Sequence, residues 1–275
     1  MLTQKEKWFF DLTGYLVLPQ VISPETVQKM LKIGNAWHDS PEDELPAPLQ
    51  SYRDAGTREH TPRAIDNIVY GDAIFQELVL NPHIMRVVLE LTNYRPQLLA
   101  ATYTRNFQNE DDIPLHNGHE GGLRNPANDY QAVGDKVFAT FLNAAVSLVD
   151  VPRGAGFVCV PGSHKSNFAC PDDVTIYSDP PVIHNVNARA GDCVIFTETL
   201  RHGGRAWPLD EPRRTVFMRY STSYASWSPG VAPIPAHRHL LCDDVAELME
   251  MAPHQSEKNV VHRLRSEIES AKYSA

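Results

Sequence analysis

The chain predicts an α+β fold, with N-terminal helices packed against an antiparallel sandwich or barrel. Three observations predict it. Capped, amphipathic helical segments crowd the first third of the sequence, β-branched and aromatic runs parted by Gly, Pro and Asp fill the middle, and a charged helical pattern returns at the end. No internal repeat or low-complexity linker divides the 275 residues, so one domain is expected over 1–275. Its helical part runs to about residue 95, its strand-rich core over about 96–227, and its helical tail over about 240–275.

Thr3 to Leu12 reads as a helix, because Thr3 suits the N-cap and Glu6 completes a capping box. Gly14 ends it, and Tyr15 to Leu18 is a short strand. Ser23 and Pro24 open a second helix as N-cap and first helical residue, with Val27, Met30, Leu31 and Ile33 on its apolar face. Ser40 to Arg63 is polar, broken by prolines and without a core-facing period. It carries Arg53, Arg58, His60 and Arg63, and is expected to be irregular and to close as a lid over substrate. Ala73 to Leu91 returns to helical spacing, interrupted near Asn81-Pro82. The strand runs are Leu98 to Phe107, Lys136 to Val149, Gly156 to Val160, Asp192 to Thr197 and Thr215 to Thr222; Asp243 to Ala275 is the helical tail.

Charge and composition narrow the function. A net charge of −9 with both signs interspersed excludes the basic surface that nucleic-acid polymers or acidic membranes require. No signal-peptide pattern and no membrane-length apolar run is present, so a cytoplasmic protein acting on a small molecule is expected. Cys159, Cys170, Cys193 and Cys242 have no CxxC spacing; Cys159 and Cys193 sit in apolar runs and read as small core residues.

The chemistry gathers at Leu115-His116-Asn117-Gly118, His202 and Arg213. His116 follows a strand and an acidic loop, and His202 lies just after another strand. Oxygen-activating non-haem iron sites use two His and one carboxylate on one face of the metal, leaving other positions open. Alternation along the last strand puts Arg213, Thr215, Phe217 and Arg219 on one face and Arg214, Val216, Met218 and Tyr220 on the other. An inward Arg is costly unless it meets an anion, and its fork matches a carboxylate. Gly118 is the odd residue: the position two after the first His is where a carboxylate ligand is expected.

The chain resembles the phytanoyl-CoA dioxygenase family of iron(II)/2-oxoglutarate-dependent enzymes. The likeness runs from Phe10-Asp11-Leu12-Thr13-Gly14-Tyr15-Leu16-Val17-Leu18 to about Trp227. It is strongest over Gly154 to Lys165, Gly191 to Phe196, His202-Gly203-Gly204 and Arg213-Arg214. It implies a double-stranded β-helix (jelly roll), Fe(II) on His116 and His202, 2-oxoglutarate clamped by Arg213, and O2 as cosubstrate. Gly118 departs from the family, whose usual member has Asp there. Three readings follow. The preferred one is a halogenase, because related halogenases replace the carboxylate with Ala or Gly and bind chloride in its stead. The second is a hydroxylase with a third ligand from elsewhere, Glu120 being the nearest. The third is iron on two His and water, or none, which would leave a catalytically silent small-molecule-binding barrel.

Around this core, His119, Glu120, Arg201, Arg53 and Arg58 are the candidates for substrate contact. Arg105, Arg124, Arg201 and Arg205 flank the two His segments and, as a cationic mouth, would suit an anionic, nucleotide-like substrate. His164 reads as structural, and His237 and His239 as solvated.

Overall fold

The computed structural model describes residues 1–52, 63–108, 112–118, 127–179, 181–225 and 233–272. Helix α1 (Gln4–Thr13) begins at Thr3 with the full capping box and ends at Gly14, whose φ of 82° is left-handed. Strand β1 (Tyr15–Leu18) follows. Helix α2 (Pro24–Asp39) starts at Ser23, whose side chain accepts from the Thr26 N–H; its Val27 and Met30 are buried, and Leu31 and Ile33 pack partly against the same core. Gly34 lets this helix approach the sheet, since a Cβ there would stand 2.2 Å from the Tyr103 ring.

Residues 40–52, the described part of the expected lid, are less irregular than expected, and 53–62 lie outside the described residues. A 3-10 turn at Glu42–Glu44 leads into β2 (Gln50–Tyr52), which pairs antiparallel with β3 (Arg63–Asp66). Leu49, just before β2, is buried in the core, and Ile65 on the partner strand β3 is wholly buried, so this part of the chain contributes a sheet edge. Three- and four-residue strands are too short to show a period. Arg53, Arg58 and His60 lie outside the described residues. Helices α3 (Ala73–Val79) and α4 (Pro82–Leu91) meet where expected, with the Asn81 side chain accepting from His83 and Ile84.

The strands that follow are β4 (Pro96–Asn106), β5 (Ile113–His116), β6 (Tyr130–Val133), β7 (Lys136–Ala139), β8 (Phe141–Ser147), β9 (Gly156–Cys159) and β10 (His184–Asn185). After them come β11 (Cys193–Thr197), β12 (His202–Arg205) and β13 (Arg213–Thr222), then helices α5 (Asp243–Met249) and α6 (Asn259–Lys272). One sheet has the order β1-β11-β8-β13-β4-β3-β2 and a second β10-β9-β12-β5, while β6 and β7 form a hairpin. The run expected over 136–149 is therefore two strands. It breaks at Thr140, whose hydroxyl accepts from the Asp129 N–H, and β7 leaves for the hairpin. His116 and His202 lie on β5 and β12 themselves, not on the loops after strands. The tail likewise is two helices with a non-helical stretch at 250–258.

Alternation divides the larger sheet. Leu98, Tyr103, Leu142, Ala144, Val146, Ile195, Val216, Met218 and Tyr220 join the helices in one buried cluster. Val194, Phe196, Cys159, Leu200 and Trp207 form a second cluster between the sheets. The two antiparallel sheets face each other in the jelly-roll arrangement, helices covering the outer face of the larger. Cys159 and Cys193 are core residues, as expected. No helix among the described residues is long and apolar enough to cross a membrane.

Candidate metal centre

Strands β5 and β12 are neighbours, and their register sets His202 directly opposite His116. The two rings lie 4.3 Å apart between centroids. Each is oriented by its own backbone: His116 Nδ1 is 2.9 Å from the Pro114 carbonyl oxygen, and His202 Nδ1 is 2.6 Å from that of Leu200. A carbonyl only accepts, so Nδ1 carries the proton in both rings and each Nε2 offers its lone pair. Burial, aided by the neighbouring His116, pushes His202 down to about 3, so its ring is neutral at physiological pH.

A carboxylate completes the group from an unexpected place. Glu198, in the turn between β11 and β12, brings an oxygen to the two imidazoles, so that one donor atom each of His116, Glu198 and His202 all lie within 4.8 Å of one another. The side chain of Asn143 on β8 donates to Glu198 Oε2 at 2.5 Å and fixes the carboxylate. Burial raises the Glu198 carboxyl, opposed by the Asn143 hydrogen bond and by the charge of Arg219. A cation at this point would favour the ionised form. Two neutral imidazoles and one carboxylate form the donor set suited to a divalent transition metal with open positions. Glu198 stands four residues before His202. Its acidic side chain between Thr197 and Thr199, at the end of an apolar strand, is the signal that could have found it.

Gly118 faces Asn128 rather than open space. A Cβ at Gly118 would stand 1.7 Å from Asn128 Nδ2 and 3.4 Å from Glu198 Cγ. Asn128 is wholly buried, and its amide has no hydrogen-bond partner among the described residues. The glycine thus makes way for Asn128, while its N–H donates to the Glu198 backbone oxygen at 3.3 Å.

Arg213 points between the sheets, as alternation requires, with Thr215 and Phe217. Its Nε is buried without a partner among the described residues, and its guanidinium carbon lies 3.5 Å from where a Cβ on Gly156 would be. Gly156, at φ 68°, therefore both turns the chain and clears space for the side chain. Burial lowers Arg213 to about 10, so it remains charged. An uncompensated guanidinium of this kind fits the far carboxylate of a dicarboxylate such as 2-oxoglutarate. Arg214 turns to the helical side, bonding Asn35 at 2.8 Å and the Pro212 carbonyl at 2.9 Å.

The expected cationic mouth is not assembled from Arg105 and Arg205. Arg105 faces the helices, pairing with Asp39 at 2.6 Å, and Arg205 lies over the Tyr177 ring and donates to the Ile176 carbonyl. Arg201 is placed beside Ser163, whose hydroxyl accepts its N–H at 2.8 Å. His164 is buried edge-on to Tyr130, a packing role, and His237 and His239 lie on a 3-10 turn. His119, Glu120, Arg124, Arg53 and Arg58 fall outside the described residues. An open depression of about 560 Å³ lined by Tyr177, His184 and Arg205 contains none of the three donor residues.

The profile of the family described as phytanoyl-CoA dioxygenase (PhyH) matches residues 10–215, most of the chain. The chain belongs to the phytanoyl-CoA dioxygenase family. It is thus one of the iron/2-oxoglutarate-dependent oxygenases. Solved structures share the fold at low identity. HygX from Streptomyces hygroscopicus, with nickel and 2-oxoglutarate bound, has TM-score 0.69 and 23% identity over 86% of this oxygenase and 94% of its own chain. The 2-oxoglutarate-dependent epimerase SnoN of nogalamycin biosynthesis has TM-score 0.60 and 22% identity over 85% and 87% of the two chains. EctD from S. alaskensis, with bound Fe, has TM-score 0.58 and 18% identity over 81% and 77%. No curated protein matches the chain.

Proposed function

We propose that this oxygenase holds Fe(II) on Nε2 of His116, Nε2 of His202 and the carboxylate of Glu198, and uses 2-oxoglutarate and O2 to hydroxylate an unactivated carbon of a small molecule. The observation that carries this reading is the convergence of the three donors within 4.8 Å. The balanced reaction is R–H + 2-oxoglutarate + O2 → R–OH + succinate + CO2. When bound, iron supplies the activation of oxygen that this chemistry needs. The chain's own residues do the rest. Arg213 takes the C5 carboxylate of 2-oxoglutarate and sets its direction; the Nδ1–carbonyl bonds keep both imidazoles in the ligand tautomer; Asn143 keeps the Glu198 carboxylate turned inward.

Halogenation is the reading that Gly118 favours, with chloride at the metal in place of a protein carboxylate. Hydroxylation is preferred here because a carboxylate from the turn between β11 and β12 reaches the two imidazoles, and because Asn128 lies against Gly118 where a side chain would project. HygX binds 2-oxoglutarate and hygromycin B, and SnoN binds nogalamycin RO, in keeping with a small-molecule substrate for this relative. The test is Fe(II) titration of Glu198→Ala and Glu120→Ala beside the parent, followed by product mass in chloride and bromide. Loss of iron in Glu198→Ala alone, with an alcohol in both salts, is the expected result. Full iron binding by Glu198→Ala, or a halide in the product, overturns it.

A further inference from the structure

We propose that Arg219 and Asp66 form the substrate-recognition pair of this oxygenase, and that the substrate is a small monocarboxylate carrying a hydroxyl or ammonium donor next to its acid group. The inference rests on the oxygenase reading and names the substrate class for that site.

Arg219 shares the inward face of β13 with Arg213, six residues away and so roughly 20 Å along the strand. The register places it opposite Asn143, the residue that grips Glu198, and opposite Ala100 on β4. Arg213 lies by Val151 and Gly156, so the two cations stand at different ends of the space between the sheets. Arg219 is close enough for its charge to bear on Glu198, His202 and Asp66.

The exposure of Arg219 is unusual for its place. Strand β13 is paired on both edges, and the flanking Met218 and Tyr220 are wholly buried, yet Arg219 is exposed. Its side chain must therefore reach open space on the inner side. Among the described residues no carboxylate pairs with it, although Asp66 shares the same face. Asp66 follows Ile65, which is buried against the helices, so Asp66 turns inward. One of its oxygens accepts the Asn67 N–H at 2.9 Å, and no other partner meets it among the described residues. Burial raises its carboxyl, with the Asn67 bond and Arg219 acting against that.

A free guanidinium and a half-free carboxyl on one wall beside the candidate metal centre call for a ligand with complementary groups. Arg219 offers a fork for a carboxylate. Asp66 offers an acceptor to a neighbouring hydroxyl or ammonium. A phosphate dianion fits less well, because Asp66 and Glu198 both oppose a second negative charge.

The test is calorimetry on the full chain, loaded with Zn(II) and 2-oxoglutarate and also metal-free. The probes are amino acids and hydroxy acids of graded size, their primary amides, plain fatty acids and phosphate monoesters. At least one amino or hydroxy acid should bind roughly tenfold or more tighter than its amide. Arg219→Gln should erase that preference, Arg219→Lys should recover part of it, and Asp66→Asn should weaken the donor-bearing acids more than the plain ones. Equal binding of acids and amides, tighter binding of the phosphates, or no binding by any probe overturns the proposal. An Arg219→Gln loss in 2-oxoglutarate affinity as large as that of Arg213→Ala would also overturn it, by making Arg219 a cosubstrate residue. Failure of the metal reading shows separately, as retained iron binding in Glu198→Ala, while the acid preference is still read on the metal-free chain.

Discussion

Gly118→Asp restores the residue usual for the family, yet it is expected to damage this protein. The new Cβ would lie 1.7 Å from Asn128 Nδ2 and 2.9 Å from its Cγ, so Asn128 must move. Asn128 is wholly buried. Overpacking of this kind costs about 1–3 kcal/mol. A second buried carboxylate beside Glu198, whose Cγ is 3.4 Å from the new Cβ, adds like-charge repulsion and raises one of the two carboxyls. At roughly 2–4 °C per kcal/mol for a chain near this size, Tm should fall by several degrees. Asn128→Gly in the same chain should recover most of the loss. With Glu198→Ala added, the introduced carboxylate should be able to take over as ligand. Thermal melts and iron-dependent succinate formation measure all of these. A Gly118→Asp protein that melts with the parent and turns over normally would refute the packing that links Gly118, Asn128 and Glu198.

Arg213→Ala should weaken 2-oxoglutarate binding by roughly 2–5 kcal/mol in calorimetry, because a carboxylate would be left unpaired between the sheets. Arg214→Ala should lower Tm instead, through its lost bonds to Asn35 and the Pro212 carbonyl; reversed sensitivities would mean the inward face of β13 is misassigned. Gly34→Ala should cost about 1–3 kcal/mol of stability, since its Cβ meets the buried Tyr103 ring at 2.2 Å, and an unchanged urea midpoint would contradict that approach. Burial alone would raise the Glu6 carboxyl, but bonds from Arg86 and Thr3 hold it down to about 2. A depressed carboxyl stabilises above its unfolded value, about 4.5, and that contribution is lost as pH falls toward 2; Glu6→Gln should remove this part of the acid-unfolding curve.

Local signals were legible wherever the chain decides its own conformation. The Thr3–Glu6 box, the Ser23-Pro24 start and the Asn81-Pro82 break each depend on neighbours within a few residues, and each appears as expected. The parity of β13 was legible too, because Val216, Met218 and Tyr220 recur at every second position, with Thr215 and Arg219 on the other face. Glu198 was not, since its role depends on three other strands: Asn143 comes from β8, His116 from β5 and His202 from β12. Of these only His202 is near Glu198 in the sequence, four residues on; His116 and Asn143 are distant, and the acidic side chain at the end of β11 was the one local signal. Strand β12 escaped notice because His202-Gly203-Gly204-Arg205 has too few side chains to show a period. Without it, Arg205 could not be assigned to the face that carries it away from the candidate centre. Arg105 shows the same limit, as its pairing with Asp39 crosses from β4 to α2.

The most direct measurement is the coordination sphere of the Fe(II) protein with 2-oxoglutarate, in chloride-containing buffer, by crystallography or X-ray absorption. The account predicts Nε2 of His116, Nε2 of His202 and one carboxylate oxygen of Glu198 on the metal, with no halide. Chloride on the iron with Glu198 turned away, or Glu120 in its place, would contradict it.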